Sequence, residues 1–438
     1  MLTTRKALWL SLILLGPACS QPSAPEGANM DEVATAYVRL VLAVGQHDPD
    51  YVDAYYGPAD WKTEVESSQR SLESIGQEAS RLLLLLGEQP PDSTPEMLSL
   101  RHQYLSKQLA SLAARVSMLQ GERLTFDDEA RALYDARPPT LREEHFQRIL
   151  NDLEALLPGP GPLIARYATF TRNFVIPTDK LDTVFTAAIQ EARRRTRAQI
   201  DLPEKENFVV EYVTDKSWSG YNWYQGKAQS LIQVNTDLPI YIDRAIDLAS
   251  HEGYPGHHVY NVLLEQHLVE ELGWMEFSVY PLFSPQSLIA EGSANYGIEV
   301  AFPAQERLEF EREVLFPLAG LDPRRAERYY QIQDLVGRLS YAGNEAARRY
   351  LNQETTAQEA ARWLETYAMM SPERAAQRVR FFDQYRSYVI NYNLGQDMVR
   401  NFVEARSHRD PTARWREFKQ LLASPRLPSG LAVASDGR

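Results

Sequence analysis

His251-Glu252-Gly253-Tyr254-Pro255-Gly256-His257-His258-Val259-Tyr260 carries three of the chain's eight histidines in ten residues. A histidine followed at once by a glutamate, with a second histidine close behind, is how zinc peptidases assemble two metal ligands and a general base. The usual form is H-E-x-x-H, in which ligands at i and i+4 share a helix face. Here position i+4 is Pro255, and the next histidine comes six residues after the first. In an unbroken helix six residues rotate through roughly 240°, so His251 and His257 would face apart. His258 regains the face at i+7 but sits about 10 Å along the axis, too far to share one ion. Only a local break brings His257 back beside His251. Pro255 removes a helical N–H and Gly256 admits unusual backbone angles, so Pro-Gly stands where a bulge or kink is required. The plainer alternative is that Pro-Gly ends the helix at Tyr254. Val259 to Glu265 resumes a helical pattern at once, which favours an interrupted helix.

Catalytic zinc usually takes three protein ligands and leaves the fourth position to water. Glu291 opens the small-residue stretch Glu291-Gly292-Ser293-Ala294, which would let a second helix pack close to the first. On spacing alone this glutamate is one of many, and a solvated face is the simpler reading. Taken with the histidine segment, the chain resembles the DUF885 family of bacterial proteins, which belongs with the zincin-like metallopeptidases. The resemblance lies in H-E-x-x-P-G-H at His251–His257 and E-G-x-A-x-Y at Glu291–Tyr296. It extends to Tyr392-Asn393-Leu394-Gly395-Gln396 and to the early run Tyr51-Val52-Asp53-Ala54-Tyr55-Tyr56-Gly57-Pro58. These segments follow the family order over most of the chain. One position departs: Ser293 stands where family members often carry a bulky aromatic.

The resemblance implies a mainly α, multi-helix zincin-like metallopeptidase fold with a small β-sheet before the metal-binding helix. In that reading His251, His257 and Glu291 hold one Zn²⁺ per chain, and Glu252, adjacent to a ligand, serves as general base. Tyr392 matches the family's late tyrosine and is the expected oxyanion donor, with Tyr388 one helical turn earlier as its competitor. His258 either lies behind a ligand or contacts substrate, or it replaces His257 if the bulge falls elsewhere. With 23 tyrosines in the chain, either tyrosine alone is more simply read as a core aromatic.

Composition narrows the partners. The 438 residues are 44% hydrophobic and 24% charged with a net charge of −13, and no concentrated Lys/Arg block interrupts them. A phosphate-binding surface needs such a block, so nucleic acid is disfavoured. The amino terminus reads as an export signal, residues 1–18: Arg5 and Lys6 precede the nine-residue apolar run Ala7 to Leu15, too short to span a bilayer. Cys19, the only cysteine, follows Gly16-Pro17-Ala18 and resembles a bacterial lipoprotein processing site. Cleavage before it and lipidation would anchor the mature protein in the cell envelope, at the outer membrane facing the periplasm. Ordinary signal-peptide cleavage into the periplasm or the medium is the alternative. A single cysteine excludes an intramolecular disulfide and a cysteine-ligated zinc site.

Residues 19–30 suit a flexible tether, and 31–157 read as an N-terminal helical region. Leu82 to Leu86 reads as a buried helix face. The loop Pro158-Gly159-Pro160-Gly161-Pro162 is the candidate boundary to a catalytic region over 163–423, and 424–438 reads as a frayed end. Convincing strand signals fall only between about Asn207 and Ile240, at Phe208–Val213 and Ala228–Asn235, around an aromatic loop Trp218–Tyr224. An edge strand of such a sheet would bind a peptide by β-augmentation, with Gln233 and Asn235 as substrate contacts beside His258 and Tyr388. A purely structural hairpin remains the other possibility. The expected activity is zinc-dependent hydrolysis of peptide bonds in the cell envelope through a metal-activated water. A non-catalytic binding lipoprotein on the same scaffold, or a metal-dependent amidase on a non-protein substrate, is the alternative. An intact Glu252 favours catalysis, because a binding role has no use for a base.

Overall fold

A computed structural model describes residues 30–87, 90, 93–216 and 218–431. The expected signal peptide, Cys19 and the tether up to residue 29 lie outside them. Met30, assigned to the tether, is the first residue of the helix Met30–Val44.

The fold is mainly α-helical with small sheets, arranged around the helix Pro285–Ala301. This helix has no polar face. Every residue but Asn295, Ile298 and Glu299 is buried, and a helix covered on all sides belongs in the interior. Leu288 joins one core with Tyr37, Leu105, Leu109 and Leu133 from the N-terminal helices and with Phe382 and Ile390 from late in the chain. Ile289, Ala290, Tyr296 and Val300 join a second core with Phe185, Ile246, Val259, Leu263 and Phe418. Residues on both sides of the Pro158–Pro162 loop therefore share a core, so residues 31–157 do not pack as a separate unit.

The central helix lies directly against the helix Ile390–Ser407. A Cβ built on Gly292 would stand 2.4 Å from the carbonyl carbon and oxygen of Gly395, and one on Gly395 would stand 2.7 Å from the Leu288 carbonyl oxygen. Two backbones this close need glycine on both sides. The Glu-Gly and Leu-Gly-Gln segments, roughly a hundred residues apart in sequence, are the two halves of one contact.

The expected small sheet precedes the histidine segment. Strands β2 (Asn207–Val213), β3 (Gly220–Gly226) and β4 (Gln229–Asn235) form a sheet of order β2-β4-β3. Strand β4 runs parallel to β2 and antiparallel to β3. The aromatic stretch Trp218–Tyr224, read as a loop, supplies most of β3. Its residues alternate, with Asn222 and Tyr224 buried and Trp223 exposed. A further pair escaped the sequence reading: β1 (Val52–Tyr55) runs antiparallel to β5 (Val279–Pro281). Four and three residues are too few to display a period of two.

Two further expectations need correction. Only Leu82 and Leu86 of the five-leucine run are buried; Leu84 is 83% and Leu85 46% exposed. The run is longer than one helix face is wide, so its middle must point outward. Residues 424–431 do not fray: Leu427 and Leu431 are buried in the second core, and Pro428–Leu431 forms a 3₁₀ turn. No described helix is long and apolar enough to cross a membrane.

Candidate metal centre

The helix Asp243–Leu248 runs into a wide turn, Ala249–Gly253, with Tyr254 N–H donating to the Ala249 carbonyl at 2.9 Å. The Tyr254–Pro255 peptide is cis. Gly256 N–H then donates back to the Ser250 carbonyl at 2.9 Å, and a new helix starts at His257. A Cβ on Gly256 would overlap the His251 carbonyl oxygen at 1.9 Å. Only glycine lets the chain fold back here, and this places two histidines six residues apart side by side.

The structure brings together three of the expected ligands. His251 Nε2 lies 3.1 Å from His257 Nε2, and Glu291 Oε2 lies 3.2 Å from the first and 3.8 Å from the second. Ligand atoms from all three fall within 4.8 Å of one another. Two ligands bound at about 2.0–2.1 Å to a tetrahedral ion are themselves about 3.3 Å apart, so the spacing suits zinc. A second observation agrees. Glu291 Oε2 is buried without a hydrogen-bond partner, while its other oxygen accepts the Tyr388 hydroxyl at 2.7 Å. A buried carboxylate oxygen left open toward two imidazole nitrogens is the environment a cation completes. Burial pushes the Glu291 carboxyl up, but the two imidazoles outweigh it and hold its pKa well below the usual range. Burial opposes protonation of His251, and Glu291 and Glu252 overcome it, raising its pKa.

Neighbouring groups orient the candidate ligands. His251 Nδ1 pairs with Asn295 Oδ1 at 3.0 Å, one helical turn beyond Glu291, and the Asn295 amide donates to the Tyr392 carbonyl at 2.9 Å. Glu129, buried in the helix Phe126–Tyr134, accepts from Ser387 N–H and Oγ and from Arg386 Nε at 3.1, 2.6 and 2.7 Å. It thereby pins the turn that carries Tyr388.

Glu252 is buried next to His251, and its backbone carbonyl accepts the Asn222 amide at 2.7 Å. The chain passes so close at Gly220 that a Cβ there would stand 2.9 Å from Glu252 Oε1. His251, Glu252, His257, Glu291, Tyr388 and Tyr392 all line one cavity of about 2700 Å³. Burial and the carboxylates of Glu291 and Glu252 raise the Tyr392 pKa against the pull of Arg378, so its phenol keeps a proton to donate. Asp53, on β1, also lines this cavity and takes the Tyr221 hydroxyl. Burial pushes its pKa to about 7, with His257 opposing and Glu291 and Glu252 adding to the rise.

The expected substrate contacts are placed differently from one another. His258 is fully buried and points into the sheet, its Nδ1 2.8 Å from Ser230 Oγ and its Nε2 3.1 Å from Glu206 Oε2. Ser230, His258 and Glu206 line up like a nucleophile, base and acid, but none of them lines the cavity. This is packing, and His258 does not take the place of His257 beside His251. Gln233 spends its side chain on Trp223 and Glu211, each at 3.2 Å. Asn235 lines the cavity, but its amide donates to the Lys216 and Trp218 carbonyls at 3.0 and 2.9 Å. Both sit on β4, the central strand, which has no free edge to offer. Of the sheet's edge strands it is β3 that borders the cavity, through Gly220, Tyr221 and Asn222. Tyr388, expected as a substrate contact or oxyanion donor, already has its hydroxyl on Glu291. The residues that sequence reasoning missed are Asp53, Glu129, Asn222 and Asn295. Asp53, Asn222 and Asn295 fell inside segments the sequence singled out (Tyr51–Pro58, Trp218–Tyr224 and Glu291–Tyr296), whereas Glu129 had no signal.

No family model and no curated protein matches the chain. Among solved structures, it is similar in fold to a protein from Colwellia psychrerythraea designated a lipoprotein, at 14% identity over 92% of this chain and 75% of that one, with a TM-score of 0.50. A protein of unknown function from Shewanella oneidensis, also designated a lipoprotein, matches at 13% identity over 90% of this chain and 82% of that one, TM-score 0.44. The M32 carboxypeptidase of Deinococcus radiodurans R1 matches at 13% identity over 90% and 88%, TM-score 0.34. The first likeness is one of fold alone, and the two weaker ones carry no argument about activity.

Proposed function

We propose that this chain is a zinc-dependent peptidase of the DUF885 type that hydrolyses peptide bonds in the cell envelope. The observation that carries the reading is the convergence of His251 Nε2, His257 Nε2 and the partnerless Glu291 Oε2 in the wall of a large cavity, with Glu252 beside them. A zinc ion held by these three residues would polarise the substrate carbonyl and acidify a water at its open position. Glu252, which follows a ligand directly in sequence, accepts the proton of the attacking water and delivers it to the departing amine. The Tyr392 hydroxyl, protonated and facing the cavity, donates to the oxygen that gains charge as the carbonyl becomes tetrahedral. Tyr388 and Asn295 hold Glu291 and His251 in place.

Lipidation of Cys19 anchors the protein at the outer membrane, facing the periplasm, where peptides are the substrate. Mass spectrometry of the mature amino terminus checks this: an unmodified Cys19, or a start elsewhere, removes the anchor. For the activity, stripping the purified protein with a chelator should abolish digestion of a mixed peptide library, and one equivalent of zinc should restore it. Zinc-loaded protein that digests no peptide would favour a binding lipoprotein or an amidase acting on another substrate.

A further inference from the structure

The helix Pro372–Tyr385 presents Arg374, Arg378 and Phe381 to the cavity, positions that share one helix face. Four other arginines in the cavity wall are matched by carboxylates: Arg244 by Asp247, Arg307 by Asp247 and Glu311, Arg400 by Glu299 and Asp397, and Arg414 by Glu404. Arg148, Arg338, Arg374 and Arg378 line it with no ion pair among the described residues. The first three are exposed, so water solvates their charge; Arg378 is partly buried. Its guanidinium carbon lies 5.1 Å from the Phe381 ring centroid. That ring is 6.3 Å from Tyr392 and 6.5 Å from Tyr388, whose hydroxyl reaches Glu291. A guanidinium cannot shed its charge in a protein, so burying one without a counter-ion is costly, and an anion that fills the space recovers that cost. Burial lowers the Arg378 pKa, Tyr392 opposes the shift and Arg374 adds to it.

We propose that Arg378, with Arg374 one turn behind it, receives the free α-carboxylate of the substrate, so that the site removes residues from the carboxyl ends of short peptides. The planar fork of arginine matches a carboxylate with two parallel hydrogen bonds. The rings of Phe381, Tyr388 and Tyr392 link it to the ligand triad along one wall of the cavity. The inference deepens the peptidase reading and rests on it for the cleavage step; carboxylate binding stands apart from it.

The test uses one random pentapeptide library made in two forms, free acid and carboxyl-terminal amide. Zinc-loaded wild-type protein should cleave the acids at least about 30-fold faster than the amides, the scale of a lost partner in a desolvated charge pair. In Arg378→Ala that ratio should fall toward one, and Arg378→Lys should restore part of it. Zinc content and melting temperature serve as controls for folding. Equilibrium dialysis of both libraries against Glu252→Gln protein reads binding without turnover. Acids should be retained over amides, and a further Arg378→Ala substitution should remove the preference. Equal retention of acids and amides overturns the proposal, whatever the hydrolysis assay gives. If the wild type cleaves neither library yet retains acids through Arg378, the carboxylate site stands and the peptidase reading falls.

Discussion

Gly292→Ala should damage the metal centre without touching a ligand. The added methyl would meet the Gly395 carbonyl carbon and oxygen at 2.4 Å, where carbon atoms prefer about 3.5 Å or more. The helices Pro285–Ala301 and Ile390–Ser407 must therefore separate by about 1 Å. Backbone cannot turn aside as a flexible side chain does, so the strain spreads along both helices. Glu291 is on the first helix, and Tyr388 is in the turn that leads into the second. A 1 Å opening stretches their 2.7 Å hydrogen bond to about 3.7 Å, beyond useful range. Overpacking costs about 1–3 kcal/mol, and a hydrogen bond to a charged group about 1.5–3, which gives a loss of roughly 2.5–6 kcal/mol. Thermal melting and zinc competition with a chelator would read both effects. Gly343→Ala is the control: nothing lies within 4 Å of its added methyl, and the site is inside the helix Ala342–Leu351. There alanine should stabilise by up to about 1 kcal/mol. Wild-type melting and zinc affinity in Gly292→Ala would refute the reasoning.

The two tyrosines should separate by readout. Tyr388→Phe should weaken zinc binding by about 10–100-fold through loss of its bond to Glu291, whereas Tyr392→Phe should keep zinc and lower kcat by about 10²–10³; the reverse pattern would exchange their roles. Acid should unfold the protein in part through Glu206. Burial raises its carboxyl, but bonds from His258, Tyr254 and Arg193 bring it from the ordinary 4.5 to about 2. A depressed carboxyl stabilises the fold above its unfolded value, so this contribution is lost as pH falls through 4.5 toward 2. Urea titrations over that window should show a flatter pH dependence for Glu206→Gln than for wild type.

The sequence made the two candidate histidine ligands and the candidate base legible because their chemistry is local. His251, Glu252 and His257 sit within seven residues, and the Pro-Gly between them announced the break that the helix period demanded. Glu291, 40 residues beyond His251, stood out only through the resemblance of its Glu-Gly-x-Ala segment. What stayed hidden depends on long-range pairing. Asn295 and Glu129 act through partners 44 and 258 positions away; Asn295 fills an unspecified position of the Glu291–Tyr296 segment, and nothing nearby in the chain marks Glu129. The sheet misled for a related reason. Alternation located strands near 208 and 230, but it carries no information about spatial order. Gln233 and Asn235 therefore looked like edge contacts when β4 is the central strand. His258 misled because adjacent residues on a helix point about 100° apart: His257 faces the cavity, and His258 faces the sheet.

The most direct measurement is peptide hydrolysis by Glu252→Gln protein with its zinc content determined on the same sample. Glutamine nearly preserves the shape of glutamate, and Glu252 is not among the three grouped ligands, so fold and metal should be retained. The amide cannot accept the proton of the attacking water, and hydrolysis should fall by about 10²–10⁴. Wild-type hydrolysis with a full equivalent of zinc bound would contradict the account.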